Sequence, residues 1–260
     1  MPVFYDQLNR AVHVPQFPKR IISIVPSQTE LLFYLGLDGE ITGITKFCTH
    51  PQDKVLSKTK IGGTKQLNII LIKDLQPDLI IANKEENEQS QVGELMDICP
   101  VWISDIADLP GALNMIESIG QIVGRTTQAK VLSQAIAGEF AKLNDVTLNL
   151  RVAYLIWRKP YMVAGIGTFI DSMLQVCGLT NAFAQQRYPE VSNEMLIDAD
   201  PEVVMLSSEP YPFSEKHIDE IKLILPRAKI ILVDGEMFSW YGSRLLLAPA
   251  YFTSIIASIT

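Results

Sequence analysis

Residues 20–25, RIISIV, form a short apolar run rich in β-branched side chains. Such a run suits a strand of a parallel sheet, buried on both faces. Pro26 breaks the strand. The following PSQTELLFYLGLDG reads as a helix that Ser27 or Thr29 can cap and that runs to Gly36. Residues 41–45 give a second strand, 69–75 a short helix that stops before Pro77, and DLIIAN (78–83) a third strand. Residues 87–98 are helical by pattern, and VWISD (101–105) is a fourth strand.

The second half of the chain repeats this order. VAYLIW (152–157) is a strand, and TFIDSMLQVCGL (168–179) is a helix ending on Gly178. EMLIDADPEVVMLSS (194–208) matches IILIKDLQPDLIIAN (69–83): a short helix, a proline–acid step, then a strand. KIILVDG (229–235) answers VWISD. Strands alternating with helices imply parallel βαβ units, so the expected fold class is α/β with two similar Rossmann-like lobes. Between the halves, Leu113, Ile116, Ile119 and Val123 keep helical spacing, and Gly124 ends that helix. A further stripe, Val131, Leu132, Ile136, Phe140 and Leu143, continues on a helix over 127–145, a rod of about 28 Å at 1.5 Å per residue. It is long enough to span two lobes and stiffer than a Gly/Ser linker. The expected division is an N-terminal lobe at 1–125, a connecting helix at 126–147 and a C-terminal lobe at 148–260.

At 260 residues with 48% apolar side chains, the chain can fill two cores. A net charge of −7 without a basic run argues against nucleic acid as partner. No apolar stretch reaches the roughly 20 residues of a membrane helix, and the N-terminus lacks the pattern of a secretory signal. A cytoplasmic location is therefore expected for the sequence as it stands, and a periplasmic or cell-surface one if a signal was removed. The odd, widely spaced cysteines Cys48, Cys99 and Cys177 do not make a disulfide framework, and Cys99 and Cys177 are expected to be buried.

Catalytic patterns are weak, and no enzyme is expected. Ser27 follows a strand but lacks the glycines of a nucleophile elbow. Gly165-Ile166-Gly167-Thr168-Phe169 lacks the third glycine of a dinucleotide loop and reads as a turn before a capped helix. Cys48 and His50 are too few to hold zinc.

RIISIVPSQTELLFYLGL, KIGGTKQLNIILIKDLQPDLIIAN, VAGIGTFIDSMLQVCGL and RYPEVSNEMLIDADPEVV together resemble the class III substrate-binding proteins of ABC importers, with their single helical backbone, over about residues 20–255. The likeness is closest to the cobalamin-binding members, while siderophore and haem binders share the fold. It implies a ligand cleft between the lobes and docking to a membrane permease through both lobe tips; the expected ligand is cobalamin or a related corrinoid, with no intrinsic cofactor, and the protein is expected to be a monomer. Rival readings are a siderophore or haem binder, or a cytoplasmic ligand chaperone or enzyme reusing the fold.

In parallel sheets ligands sit beyond the carboxyl ends of the strands. Candidate contacts are therefore Phe47 and His50 after the second strand, where His50 also offers an axial donor to a ligand's own metal. The resemblance adds Thr64 and Lys65, beside the turn Gly62-Gly63, and Tyr188. Trp157 and Tyr161 follow the first strand of the second half, where a flat aromatic face serves either the core or a macrocycle. Phe238, Trp240, Tyr241 and Arg244 lie in an aromatic run between a strand and a helix. For docking, the family offers an acid at the start of the short helix on each tip. Glu194 fills that place in the second half, whereas Ile69 and Ile70 stand there in the first.

Overall fold

The computed structural model of the protein describes residues 1–143 and 147–260. The chain forms two compact units. Unit one comprises Met1–Ile106, Pro110–Ile136 and Tyr241–Arg244, and unit two comprises Ala107–Leu109, Ala137–Trp240 and Leu245–Thr260.

Unit one begins with an antiparallel hairpin, β1 (Val3–Tyr5) and β2 (Ala11–His13), which the hydrophobic pattern does not announce. Its turn is held by Asp6, whose carboxylate accepts from the Leu8 and Arg10 amides and pairs with the Arg10 guanidinium at 2.6 Å. The strands β3 (Ile21–Ser23), β4 (Ile41–Ile44), β5 (Thr59–Lys60), β6 (Leu79–Asn83) and β7 (Val101–Ser104) form one parallel sheet in the order β5-β4-β3-β6-β7. The apolar runs predicted the buried strands, and β3 and β6 are buried at every position.

The helices α1 (Pro26–Tyr34), α3 (Ile69–Asp74), α4 (Gln89–Met96) and α5 (Leu109–Ile122) follow the expected order, and a short α2 (Gln52–Val55) is added between the first two. One cap differs from expectation. Val25 is the N-cap of α1, without a side-chain cap bond, and Ser27 and Thr29 lie inside the helix. Proline explains the shift, because its fixed φ and missing N–H suit the first helical position. The helix expected over 127–145 is α6, Thr126–Ala141, and residues 144–145 of that expectation lie outside the described residues.

Unit two contains β8 (Arg151–Trp157), β9 (Tyr161–Val163), β10 (Thr180–Asn181), β11 (Glu190–Val191), β12 (Val203–Ser207) and β13 (Lys229–Val233). The sheet path is β11-β9-β8-β12-β13, with β10 also pairing β8. The sheet is mixed, not purely parallel: β9 runs antiparallel to β8, and β11 antiparallel to β9. The physical reason is the connection. Residues 158–160 are too few for a crossover, so the chain after β8 turns back as a hairpin. The helices are α7 (Phe169–Val176), α8 (Asn193–Ala199), α9 (Glu215–Ile224), α10 (Gly235–Ser239) and α11 (Ala248–Ile259). Thr168 caps α7 by accepting from the Asp171 amide, and Gly167 takes φ +74°, as a turn before a capped helix requires.

Both sheets reverse direction of growth. In unit one β4 lies on one side of β3 and β6 on the other; in unit two β9 and β12 flank β8. Such a reversal parts the loops at the carboxyl ends of the two central strands and opens a crevice there.

Candidate functional site

In unit one the carboxyl-end loops are tied together by two asparagines that sequence reasoning missed. Asn83 closes β6, and its side-chain oxygen accepts from the amides of Glu85 and Glu86 at 2.8 and 3.1 Å. Asn87 accepts from the Asn83 amide at 2.8 Å and donates to the carbonyls of Ile24 and Thr64 at 3.1 and 3.0 Å. Three loops are thereby pinned by one buried side chain. The available signal was polarity at the end of an apolar run, DLIIANKEEN.

This pinning sets Thr64 and Lys65 beside the loop after β4. Gly62 is required there. Its φ is +108°, and a Cβ would sit 2.3 Å from the Gln66 carbonyl oxygen. Gly63 lies under Phe47, whose ring would be 3.1 Å from an added Cβ. Phe47 is 51% exposed, with the Lys46 ammonium 5.1 Å from its ring centre. Cys48 turns inward between the hydroxyls of Thr29 and Thr45 at 3.1 and 3.3 Å, and burial pushes its thiol pKa up. It anchors the loop and leaves Phe47 outside. His50 is half-buried in the same loop. The structure thus brings Phe47, Thr64 and Lys65 together at one sheet edge. Cys177 is buried as expected, whereas Cys99 is only partly buried. It sits in the short connection just before β7, at the margin of the sheet.

Unit two presents an aromatic wall at the carboxyl ends of β8 and β12. Trp157 ends β8, is 40% exposed and meets the ring of Tyr211 edge-on at 5.7 Å. Tyr211 packs on Phe213 at 4.8 Å and on His217 at 5.5 Å. Tyr211 and Phe213 were not foreseen, because EPYPF reads as a proline-broken loop with no periodicity. Behind the wall, the Arg158 guanidinium grips both oxygens of Glu220, the shortest contact being 2.6 Å, and the Tyr161 hydroxyl donates to the same carboxylate. Arg158 holds the Glu220 carboxyl down at about 2. Burial first, and then its bond to the Glu220 carboxylate, raise the Tyr161 pKa. Tyr161 is therefore bound into this ion pair. Tyr188 is half-buried beside Pro189, at the start of the edge strand β11.

The run at 238–244 divides. Phe238 was expected at the ligand; the structure places it in the core of unit two, 0% exposed, against Tyr154, Tyr251 and Phe252. It points inward because α10 is amphipathic over a single turn and its apolar side must cover the sheet. Trp240 is also buried, and its indole N–H donates to Glu209 at 2.9 Å, with the Ser239 hydroxyl on the same oxygen at 2.8 Å. Burial raises the Glu209 pKa in spite of these donors. Tyr241 and Arg244 belong to unit one. The Tyr241 hydroxyl donates to Glu86, and Arg244 pairs with Glu30 at 2.8 Å; both side chains are less than one-tenth exposed. Among the described residues, no cluster of three or more His, Cys, Asp or Glu is placed to hold a metal ion.

Glu194 is exposed at the second position of α8, after the N-cap Ser192, whose side chain bonds it and lowers its pKa. Ile70 holds the same position in α3, after the N-cap Asn68, and is 76% exposed. The two halves therefore carry equivalent short helices with an acid on one and an aliphatic side chain on the other.

Sheet order, reversal of growth and aromatic carboxyl-end loops describe a ligand-binding α/β protein, and comparison with known proteins agrees. The chain belongs to the periplasmic binding protein family, whose model matches residues 21–223. It is a binding protein and not an enzyme. It is 23% identical over 252 residues to the vitamin B12-binding protein of Pectobacterium carotovorum, covering 94% of this chain and 90% of that protein. The solved structure of the periplasmic vitamin B12 binding protein BtuF of Vibrio cholerae is similar with a TM-score of 0.80, 20% identity, and coverage of 94% and 99% of the two chains. The apo periplasmic heme-binding protein RhuT of Roseiflexus sp. RS-1 is similar to the same degree: TM-score 0.80, 22% identity, 93% and 97% coverage.

Proposed function

We propose that the protein is a substrate-binding component for ABC-type import whose ligand is a metal macrocycle, with cobalamin or a related corrinoid foremost. The observation that carries this reading is the aromatic surface at the carboxyl ends of the strands: exposed Phe47 in unit one, and exposed Trp157 on half-buried Tyr211 in unit two. Flat, stiff rings suit a large flat ligand, because they cover much area at little entropic cost. The vitamin B12-binding relative supports the corrinoid, and the heme-binding neighbour supports haem as the second reading. The names of the relatives favour the periplasmic or cell-surface location over the cytoplasmic one. Apolar burial at about 25 cal/mol per Å² can supply micromolar affinity after the costs of association. Calorimetric titration with cyanocobalamin, dicyanocobinamide, haemin and ferrichrome tests the reading. A corrinoid is expected to bind with a Kd of about 1 μM or tighter. Absence of heat and of spectral change with corrinoids at about ten times that concentration contradicts it.

Docking to a permease rests, in this reading, on Glu194 alone. An aliphatic Ile70 cannot pair with an arginine, and a charge left desolvated and unpaired costs about 1–3 kcal/mol. Glu194→Ala should therefore weaken binding to membranes carrying the cognate permease by about fivefold to 150-fold, while Ile70→Ala should change it less than twofold. Equal losses in both variants would instead mean a partner surface matched to each tip.

A further inference from the structure

We propose that Tyr211 selects the ligand by chemistry, donating its phenolic proton to an uncharged carbonyl oxygen on the rim of the macrocycle, such as a peripheral carboxamide. This rests on the binding-protein reading above and specifies what the ligand must carry.

The argument begins at His217. The backbone N–H of Ser214 donates to its Nδ1 at 2.9 Å. An N–H can only donate, so Nδ1 holds a lone pair, and the ring carries its proton on Nε2. Burial favours the same neutral ring by lowering its pKa. Nε2 lies 3.3 Å from the Tyr211 oxygen, so that oxygen is the acceptor. The Arg158 guanidinium, which has donors only, lies close enough to interact with the phenol and offers it no acceptor. The proton of Tyr211 is thereby turned away from both neighbours. Among the described residues it has no acceptor.

The position of this proton matters. Tyr211 follows β12, and its ring meets Trp157 at the end of β8. These two strands are the ones on either side of the reversal in the sheet of unit two. The donor belongs to the carboxyl-end loops, the edge at which this class of sheet receives ligands. Its ring is held from behind by Phe213 and His217, so the hydroxyl is preorganised.

The charge around it decides the kind of acceptor. Arg158, which interacts with the phenol, is neutralised by Glu220. Glu209 lies two residues before Tyr211, and Asp234 and Glu236 follow the adjacent β13. Lys159 and Lys216 are the other cations of these loops, and the three acids outnumber them, so a ligand carboxylate meets net repulsion here. An amide carbonyl accepts the same hydrogen bond without that repulsion.

The test is Tyr211→Phe, which removes one oxygen and keeps the ring. Its probes are dicyanocobinamide, whose corrin ring bears carboxamides, and dicyanocobyrinic acid, the same ring with those groups as acids. Wild type should prefer the amide form. Tyr211→Phe should weaken it about threefold to tenfold, as for one lost neutral hydrogen bond, with little change for the acid and an unchanged melting curve. Unchanged affinity for the amide form in Tyr211→Phe, or a wild-type preference for the acid, overturns this inference and leaves the corrinoid reading standing. If neither corrinoid binds but ferrichrome does, the corrinoid reading fails, and the same loss for ferrichrome in Tyr211→Phe sustains the donor. Binding of none of the three overturns both.

Discussion

Replacing Phe238 with alanine is expected to lower the free energy of unfolding by about 3–5 kcal/mol, the range for a large aromatic removed from a packed core. Its ring lies 4.7 Å from that of Phe252 and 5.2 Å from that of Tyr154. Tyr154 is itself fully buried, with its hydroxyl 3.2 Å from the Ser207 hydroxyl at the end of β12. No water can enter to offset the void, since its lining is largely apolar. Urea unfolding of the variant measures the cost. Ligand affinity per folded molecule should stay within about threefold of wild type. A loss below about 1 kcal/mol, accompanied by weakened binding, would return Phe238 to the ligand surface.

Trp157→Ala should do the reverse. The side chain is 40% exposed and touches its neighbours edge-on, so the fold should lose about 1 kcal/mol or less. Ligand affinity should fall by about 1–3 kcal/mol, the range for an aromatic anchor, or roughly fivefold to 150-fold. Calorimetry against dicyanocobinamide reads this directly. Affinity unchanged in a folded Trp157→Ala protein would mean that the ring is only a cover for Tyr211.

The contrast between these two aromatics shows what the sequence could convey. Both lie at or beyond the carboxyl end of a strand, Trp157 as the last residue of β8 and Phe238 in α10 after β13, and both were reasonable ligand contacts. Periodicity locates buried strands well, because a run such as LIIAN has nowhere else to go. The parallel frame of each unit, most of the helices and the glycine turns were legible for that reason, whereas α2, α9 and α10 were not. The antiparallel β9 was not, because it depends on the shortness of the turn at 158–160 and not on any side-chain pattern. At a strand end or in a short helix, the direction of a side chain is set by long-range packing. Phe238 was drawn inward by Tyr154, which is 84 positions away in the chain, and Trp157 was left outside by the partial burial of Tyr211. Asn87 and Tyr211 were missed for a related cause: their roles are defined by hydrogen bonds to partners that the fold, and not local sequence, brings near.

Hydrogen exchange followed by mass spectrometry, with and without dicyanocobinamide, tests the location of the ligand most directly. Binding should slow exchange in the carboxyl-end loops at 45–51, 62–66, 157–161 and 208–214, because ligand contact there suppresses local opening. The amino ends of the same strands should exchange at their unliganded rates. Protection confined to those amino ends, or a bound ligand with no protection in any of the four loops, would contradict the assignment of the carboxyl edges as the binding surface.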